Sequence, residues 1–204
     1  DNIIKWGCEN VVVTNNDPRD FAKTEGYFDV IVVDAPCSGS GLFRRDPDAI
    51  AEWSENNVQL CSQRQQRILA DVWPALKKNG MLIYSTCSYS KEEDEDIIQW
   101  LLQELPVALC PLSFEPSGGI VASGGGYRFW PDKVMGEGFF IACFQKKEGE
   151  EELSFKIRNR PEQLNKKEME IVEKWIKNEG KVFIKHLNTV YAWPELLENE
   201  FSFL

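Results

Sequence analysis

Two cysteines occupy positions where their thiols could do chemistry. Cys37 lies in the segment DAPCSG (34–39) and Cys87 lies in STCS (85–88), and each segment follows a short apolar run. A thiol is a few per cent ionised at pH 7 and its thiolate is a strong nucleophile. In an open α/β sheet, groups that follow the carboxyl ends of strands collect at one edge, and neighbouring strands lie ~4.8 Å apart. If the two strands are neighbours, we expect both thiols to face one crevice.

The elements that must position these cysteines can be predicted from hydrophobic periodicity. Short apolar or β-branched runs predict strands at 11–14, 29–34, 80–85, 106–112 and 138–144. Apolar residues at helical spacing predict a long helix over 57–78, capped by Ser54, kinked at Pro74 and ended by the Asn-Gly pair at 79–80. The short helix at 1–6 is expected to stop at Gly7.

A second helix is predicted after Cys87, running to about Glu104. Ser90 and Glu93 fit a capping box, and the acids at 92–96 would lie in the first turn. The helix dipole favours acidic residues there, so this cluster predicts a helix start rather than a metal site. The glycine-rich segment 123–127 predicts a mobile loop.

Strands that alternate with helices predict an α/β fold. We assign residues 1–147 to one domain and residues 148–204 to a linker followed by a small α+β region. In that region we expect a helix over 164–177 and two short strands at 182–185 and 189–193. Its length gives it a thin core of its own.

Composition narrows the class of protein. The 204 residues contain no stretch long and apolar enough to cross a bilayer, which predicts a cytoplasmic protein without a membrane partner. The six cysteines form no C-x-x-C pair, which fits a reducing compartment. The single His186 excludes an HExxH zinc site and disfavours a serine-histidine triad.

The net charge indicates how strongly the protein could attract phosphate-bearing partners. A net charge of −10 argues against sequence-blind attraction to phosphate, which depends on lysine and arginine. A local basic patch and a scatter of solvated arginines are both open interpretations of Arg44, Arg45, Arg64, Arg67 and Arg128.

Paired cysteines suit one demanding reaction. Carbon 5 of cytosine is a poor nucleophile, but addition of a thiolate at carbon 6 turns the ring into an enamine that can attack an electrophilic methyl group. Afterwards the carbon 5 proton must leave and the thioether must be expelled. A second acid or base, such as another cysteine, would help at that stage.

The two motifs at this spacing resemble the SUN family of RNA cytosine-5 methyltransferases, whose bacterial members act on ribosomal RNA. The resemblance covers residues 10–144, and further matching positions are Arg45, Pro47, Trp53, Glu92, Glu95, Arg128, Pro131, Gly136 and 138–140. It implies a Rossmann-like class I methyltransferase sheet, S-adenosyl-L-methionine as cofactor, RNA as partner and no metal.

The resemblance also implies roles for individual residues. Cys87 would attack carbon 6 and Cys37 would assist product release, while Asp34 and Pro36 would contact and shape the pocket of a flipped cytosine. Asp17, together with Asp34, would bind the cofactor.

Each assignment has an alternative. The role of Asp17 could be limited to capping the helix that begins at Pro18, and that of Pro36 to forming a turn. The two cysteines could be inert small hydrophobic residues. The remaining cysteines at 8, 61, 110 and 143 are assigned to packing.

The chain departs from the family pattern in one respect. The glycine-rich cofactor loop and the acidic ribose-binding residue do not occur in it. We therefore expect the sheet to lack its first strands, the strand at 11–14 to have no direct partner, and an N-terminal part of the same enzyme to be a partner. Residues 1–204 alone would bind the cofactor weakly or not at all. The tail after residue 150, including the segment 190–194, resembles the start of a small RNA-binding region.

Two other functions compete with an active methyltransferase. A non-catalytic RNA-binding module could keep the fold without the chemistry, which the missing cofactor elements favour and the retained cysteines oppose. Cys37 and Cys87 could instead form a redox pair.

Overall fold

The computed structural model describes residues 2–8, 10–115, 118–149, 162–177 and 179–198. They fall into two compact units, one within residues 17–153 and the other combining residues 1–16 with 154–204. Both cysteine segments belong to the larger unit.

A six-stranded mixed sheet forms the centre of the larger unit. Its strands are β1 (Phe28–Asp34), β2 (Leu76–Thr86), β3 (Val107–Leu109), β4 (Val121–Ser123), β5 (Gly126–Phe129) and β6 (Phe139–Lys146). The order is β1-β2-β6-β5-β4, and β3 also pairs with β6. β1 and β2 are parallel, whereas β6 runs antiparallel to β2, β3 and β5. The predicted α/β fold is confirmed, and the two strands that precede the cysteines are direct neighbours.

The α-helices are short apart from one. In chain order they are α1 (Asn2–Trp6), α2 (Asp48–Glu52), α3 (Glu55–Val72), α4 (Glu95–Glu104) and α5 (Lys166–Val172). Short 3₁₀ segments lie at Pro18–Lys23, Ser40–Leu42, Trp73–Ala75, Lys91–Glu93 and Glu195–Leu197. In the described part of the chain, no helix combines the length and apolar character needed to cross a membrane.

Helix α3 begins as predicted but ends early. Ser54 caps it by accepting a hydrogen bond from the backbone N–H of Asn57 at 3.1 Å. The predicted end at 79–80 is wrong, because α3 stops at Val72 and β2 already starts at Leu76. Pro74 lies in the intervening 3₁₀ turn, where its missing N–H ends the helix instead of kinking it.

The core lies where α3 and α4 pack against the middle of the sheet. Fully buried side chains come from both helices and from β2 and β6: Leu69, Ile97, Leu101, Leu82, Tyr84, Phe140 and Phe144. Burying each such aliphatic or phenylalanine side chain is worth about 1.5–3 kcal/mol. Core packing within the larger unit therefore stabilises the strands that precede the cysteine segments. On β1, Val33 is buried while Val30 and Val32 are exposed.

Two predictions about local structure are wrong. The predicted strand at 11–14 is irregular and Val13 is 72% exposed. A β-branched run forms a strand only where a neighbour satisfies its backbone groups, and no described strand pairs with it. The predicted mobile loop at 123–127 is the turn of the β4-β5 hairpin. Gly124 and Gly125 supply the positive φ angles, +60° and +98°, that a two-residue hairpin turn requires.

The smaller unit contains a three-stranded antiparallel sheet of β7 (Glu162–Gln163), β8 (Lys181–His186) and β9 (Thr189–Pro194). Asn165 caps α5 by accepting hydrogen bonds from the backbone N–H groups of residues 167 and 168. The two predicted strands are confirmed, and the predicted helix is shorter than expected. Most of the predicted linker, residues 150–161, lies outside the described residues.

Cys8 is exposed, so the packing role predicted for it is wrong.

A buried ion-pair cluster joins β5 to the start of α4. The Arg128 guanidinium forms an ion pair with the Asp94 carboxylate at 2.9 Å, and its Nε donates a hydrogen bond to Glu95 at 2.7 Å. Asp94 is fully buried and also accepts a hydrogen bond from the Thr86 hydroxyl, one residue before Cys87, at 2.6 Å. The guanidinium packs over the Trp130 and Phe140 rings. This cluster fixes the end of β2 next to the cysteine.

We expect Arg128→Met to lower the free energy of unfolding by about 3–5 kcal/mol, because it leaves the buried Asp94 and the half-buried Glu95 without their cationic partner. Urea unfolding followed by circular dichroism measures the loss. Arg64→Met is the matched control, since Arg64 is exposed on α3, and it should change stability by less than about 0.5 kcal/mol. Equal losses in the two variants would show that the cluster does not stabilise the fold.

Candidate functional site

The carboxyl ends of β1 and β2 bring the two cysteines together. Asp34 and Ser85 are register partners at the ends of these parallel strands. The loops that follow place the Cys37 and Cys87 sulfur atoms 3.1 Å apart. Both cysteines are half-buried. The predicted juxtaposition of the thiols is confirmed.

Close backbone packing fixes the two loops against each other. The backbone N–H of Gly41 donates to the Cys87 carbonyl oxygen at 2.7 Å. A Cβ atom at position 41 would lie 2.4 Å from that oxygen and 2.7 Å from the Gly138 carbonyl oxygen. Only glycine permits this approach, so the loop after Cys37 directly supports the backbone of Cys87.

The hydrogen bond between the thiols sets their ionisation. The hydrogen bond with Cys37 lowers the pKa of Cys87 below the ordinary value of a thiol. The same hydrogen bond, together with burial, raises the pKa of Cys37. Of the two thiols, Cys87 therefore loses its proton more readily and Cys37 retains its proton to higher pH.

A polar cluster that the sequence interpretation missed lies directly beneath the thiols. It contains Ser38, Ser40, Ser88, Gln65 and Glu93, all buried. The predicted capping box between Ser90 and Glu93 is wrong, because the Ser90 side chain makes no capping hydrogen bond and Glu93 turns toward the serines instead. One signal was available: Gln65 interrupts the apolar face of α3, and a polar residue there is typical of an internal network.

The other predicted site residues lie near the strand ends. Asp34 is exposed and accepts a hydrogen bond from the Ser85 hydroxyl at 3.0 Å. Pro36 is half-buried, and its carbonyl oxygen accepts a hydrogen bond from the Gln65 amide at 3.0 Å. Asp34 thus presents a carboxylate to solvent at the edge where the thiols lie.

Asp17 is engaged within the protein. Its carboxylate accepts a hydrogen bond from the backbone N–H of Arg19 at 3.2 Å, as part of a capping box for the 3₁₀ segment at Pro18–Lys23. It also lies 3.6 Å from the Arg67 guanidinium. These contacts lower the pKa of Asp17, the backbone hydrogen bond contributing most. The capping alternative therefore describes its observed contacts.

Three of the five candidate arginine residues pair with acidic side chains. Arg128 is buried in its ion-pair cluster, Arg67 pairs with Asp17 and Asp71, and Arg44 pairs with Glu137. Across the described ranges, no group of three or more histidine, cysteine or acidic residues is placed to hold a metal ion.

The chain is similar in sequence to a family of known proteins. The family model described as 16S rRNA methyltransferase RsmB/F matches residues 1–145. The ribosomal RNA small subunit methyltransferases F of Psychromonas ingrahamii and of Escherichia coli O157:H7 are each 37% identical over 150 residues, which cover 71% of this chain and 31% of those proteins. The chain thus spans about a third of the length of these curated relatives.

Solved structures show the same likeness. NSun6 from Pyrococcus horikoshii, crystallised with SFG, is 26% identical with a TM-score of 0.62, covering 72% of this chain and 38% of that one. A methyltransferase homologue from Pyrococcus horikoshii is 31% identical with a TM-score of 0.60, covering 71% and 48%. Because the family model covers residues 1–145, most of its length, the chain belongs to the 16S rRNA methyltransferase RsmB/F family, within the SUN-family methyltransferases.

Proposed function

We propose that the protein containing this chain methylates carbon 5 of a cytosine in ribosomal RNA, with Cys87 as nucleophile and Cys37 assisting product release. The observation that carries the proposal is the pair of sulfur atoms 3.1 Å apart at the ends of neighbouring parallel strands. The relatives' names support a ribosomal RNA substrate. The choice of carbon 5 rests on the chemistry of the thiol pair.

Cys87 starts the reaction. Its lowered pKa increases the thiolate fraction at neutral pH. Addition of that thiolate to carbon 6 forms a carbon–sulfur bond and moves an electron pair toward carbon 5, which becomes nucleophilic. The cytosine must first leave its stack to come within reach of the sulfur, as bases do in enzymes that modify them.

The cofactor we propose is S-adenosyl-L-methionine, which supplies an electrophilic methyl group when bound. The NSun6 relative was crystallised with SFG, an analogue of this molecule. Asp34 fits such a ligand, because it presents an exposed carboxylate at the carboxyl end of β1, where open α/β sheets bind their ligands. Asp17 would serve as a second acidic contact by exchanging part of its present interaction with Arg67. Asp34 would also hold the polar edge of the cytosine, with Pro36 shaping that pocket.

Cys37 acts when the product leaves. Once carbon 5 has been methylated, a base takes its proton and the electron pair of that C–H bond forms the double bond between carbons 5 and 6. The bond between carbon 6 and the Cys87 sulfur breaks in the same elimination, and its electron pair leaves with sulfur. A thiolate leaves faster when its pKa is low. The hydrogen bond from Cys37 lowers the pKa of Cys87, so the same contact that favours attack also favours expulsion.

This hydrogen bond predicts a pH dependence. A thiolate exists above its pKa, so a lowered pKa extends the reactivity of Cys87 to lower pH. We expect Cys37→Ala to move the midpoint of Cys87 alkylation by iodoacetamide to higher pH, because the donor is lost. Peptide mass spectrometry at several pH values reads the Cys87 rate. Cys37→Ser keeps a hydroxyl donor and should stay close to the wild type, and an unchanged midpoint in Cys37→Ala would contradict the assigned hydrogen bond.

Bisulfite sequencing tests the proposed function in cells. Ribosomal RNA from a strain without the gene should contain a cytosine that is converted, whereas in the parent strain that cytosine resists conversion because it carries a 5-methyl group. Returning the gene should restore the resistance. A protein that only binds RNA would leave every 5-methylcytosine in place, and that result would overturn the proposal.

A further inference from the structure

Glu93 lies in an unusual position for a carboxylate. Its side chain is fully buried, although the neighbouring Glu92 is exposed. Burying an ionised carboxylate is costly unless hydrogen bonds compensate for the lost water. A buried acid beside a candidate active site therefore requires partners, and the partners of Glu93 all belong to the structure around the two cysteines.

Both carboxylate oxygens of Glu93 accept hydrogen bonds from the residues that directly follow the cysteines. Oε1 accepts from the backbone N–H of Ser38 at 2.7 Å, and Oε2 accepts from the Ser38 hydroxyl at 2.6 Å. Oε2 also accepts from the Ser88 hydroxyl at 2.6 Å. One side chain thus joins the loop of Cys37 to the loop of Cys87.

Further contacts fix Glu93 itself. The Gln65 amide lies 3.5 Å from Oε1 while donating to the Pro36 carbonyl oxygen. The Tyr84 hydroxyl lies 2.5 Å from the backbone oxygen of Glu93 and 3.0 Å from the Gln65 side-chain oxygen. α3 and β2 therefore hold the carboxylate in place from below, so that the loops are positioned relative to rigid elements.

The hydrogen bonds to the Glu93 side chain require a carboxylate at this position. Four donors converge on two oxygen atoms, and an ionised carboxylate has only acceptors to offer them. A glutamine of the same shape would replace one acceptor with a donor. The serine hydroxyls or the backbone N–H of Ser38 would then have to turn away, and the loops would lose their common anchor.

We propose that Glu93 is the positioning residue that sets the separation of the Cys37 and Cys87 thiols. It touches neither substrate nor cofactor, and it acts through Ser38 and Ser88 on the cysteine preceding each. The effect of Glu93 on catalysis rests on the proposed function, whereas its effect on the separation of the thiols does not. The two effects can therefore be measured separately.

The test compares Glu93→Gln with Glu92→Gln, which makes the same charge change one residue away on an exposed side chain. The proteins, expressed from the native gene, are treated with diamide, which takes up two electrons and two protons as the two thiols form a disulfide. Mass spectrometry counts the remaining alkylatable thiols over time. We expect Glu93→Gln to close the disulfide about tenfold or more slowly, since disulfides tolerate a narrow range of separations, and Glu92→Gln to match the wild type.

The direction in which the rate of disulfide closure changes distinguishes a positioning effect of Glu93 from an effect of its charge. The Glu93 charge raises the pKa of Cys87, so its removal alone would make the thiol more reactive and closure faster. Closure at the wild-type rate or faster in Glu93→Gln would overturn the proposal. If Glu93→Gln does not fold, Ser38→Ala replaces it in the experiment, because this variant removes one hydroxyl contact to Glu93 and keeps the backbone N–H. Slower disulfide closure in Ser38→Ala would then support the proposal, and closure at the wild-type rate or faster would overturn it.

Single-turnover methyl transfer supplies the second measurement. A displacement of about 1 Å at a reacting group costs on the order of 100-fold in rate, so we expect a fall of that size in Glu93→Gln. If disulfide closure slows while the wild-type protein transfers no methyl group, the positioning role stands and the proposed function fails. If methyl transfer occurs but closure is unaffected, the function stands and the positioning role fails.

Discussion

Replacing Cys87 with alanine is expected to abolish methyl transfer, with a loss on the order of 10⁴-fold or more, as when a catalytic nucleophile is removed from other enzymes. Without the sulfur, no bond forms at carbon 6 and carbon 5 stays unreactive. Incorporation of a labelled methyl group into ribosomal RNA that lacks the modification measures the loss.

Cys61→Ala is the matched control for this prediction. Cys61 is a half-buried cysteine on α3 whose sulfur lies 3.8 Å from the Asn57 side-chain oxygen. Its removal should leave the rate within about twofold of the wild type, the range expected where no named catalytic contact is lost. Wild-type activity in Cys87→Ala would show that another group is the nucleophile.

Replacing Cys37 with alanine has the second largest expected effect, and it falls on a different step. Cys87 can still attack carbon 6, although a smaller fraction of it is ionised at neutral pH. Expulsion slows because the departing thiolate has lost the hydrogen bond from Cys37, 3.1 Å away. We expect the protein to accumulate as a covalent complex with RNA, seen as a band of reduced mobility in denaturing gels.

The double variant tests the origin of that complex. Cys37→Ala combined with Cys87→Ala should form no complex, because the attacking sulfur is absent. If the double variant still formed the complex, the RNA would be attached elsewhere. If Cys37→Ala turned over at the wild-type rate, the release role assigned to Cys37 would be wrong.

The sequence predicted the centre of the site because local rules determine it. Each cysteine follows a buried strand by a few residues, and strand ends are readable from apolar runs. Strand order was not readable, since it depends on contacts between segments about fifty residues apart. The 3.1 Å separation of the thiols therefore needed the structure.

Errors arose where distant contacts overrode local signals. Ser90 and Glu93 have the spacing of a capping box, but two buried serine hydroxyls offered Glu93 stronger partners. The end of α3 was misplaced because Asn79 and Gly80 look like a helix stop, whereas the chain had already entered β2 at Leu76. Gly124 and Gly125 looked like a mobile loop, but pairing between β4 and β5 makes them a hairpin turn.

Peptide mapping of the trapped RNA complex tests the central claim most directly. Nuclease and protease digestion of the complex formed by Cys37→Ala leaves one peptide that carries a cytidine nucleotide, and fragmentation identifies its attachment point. We expect the nucleotide to be bonded to the sulfur of Cys87. Attachment to any other residue, or a peptide around Cys87 that remains unmodified while the RNA is methylated, would contradict it.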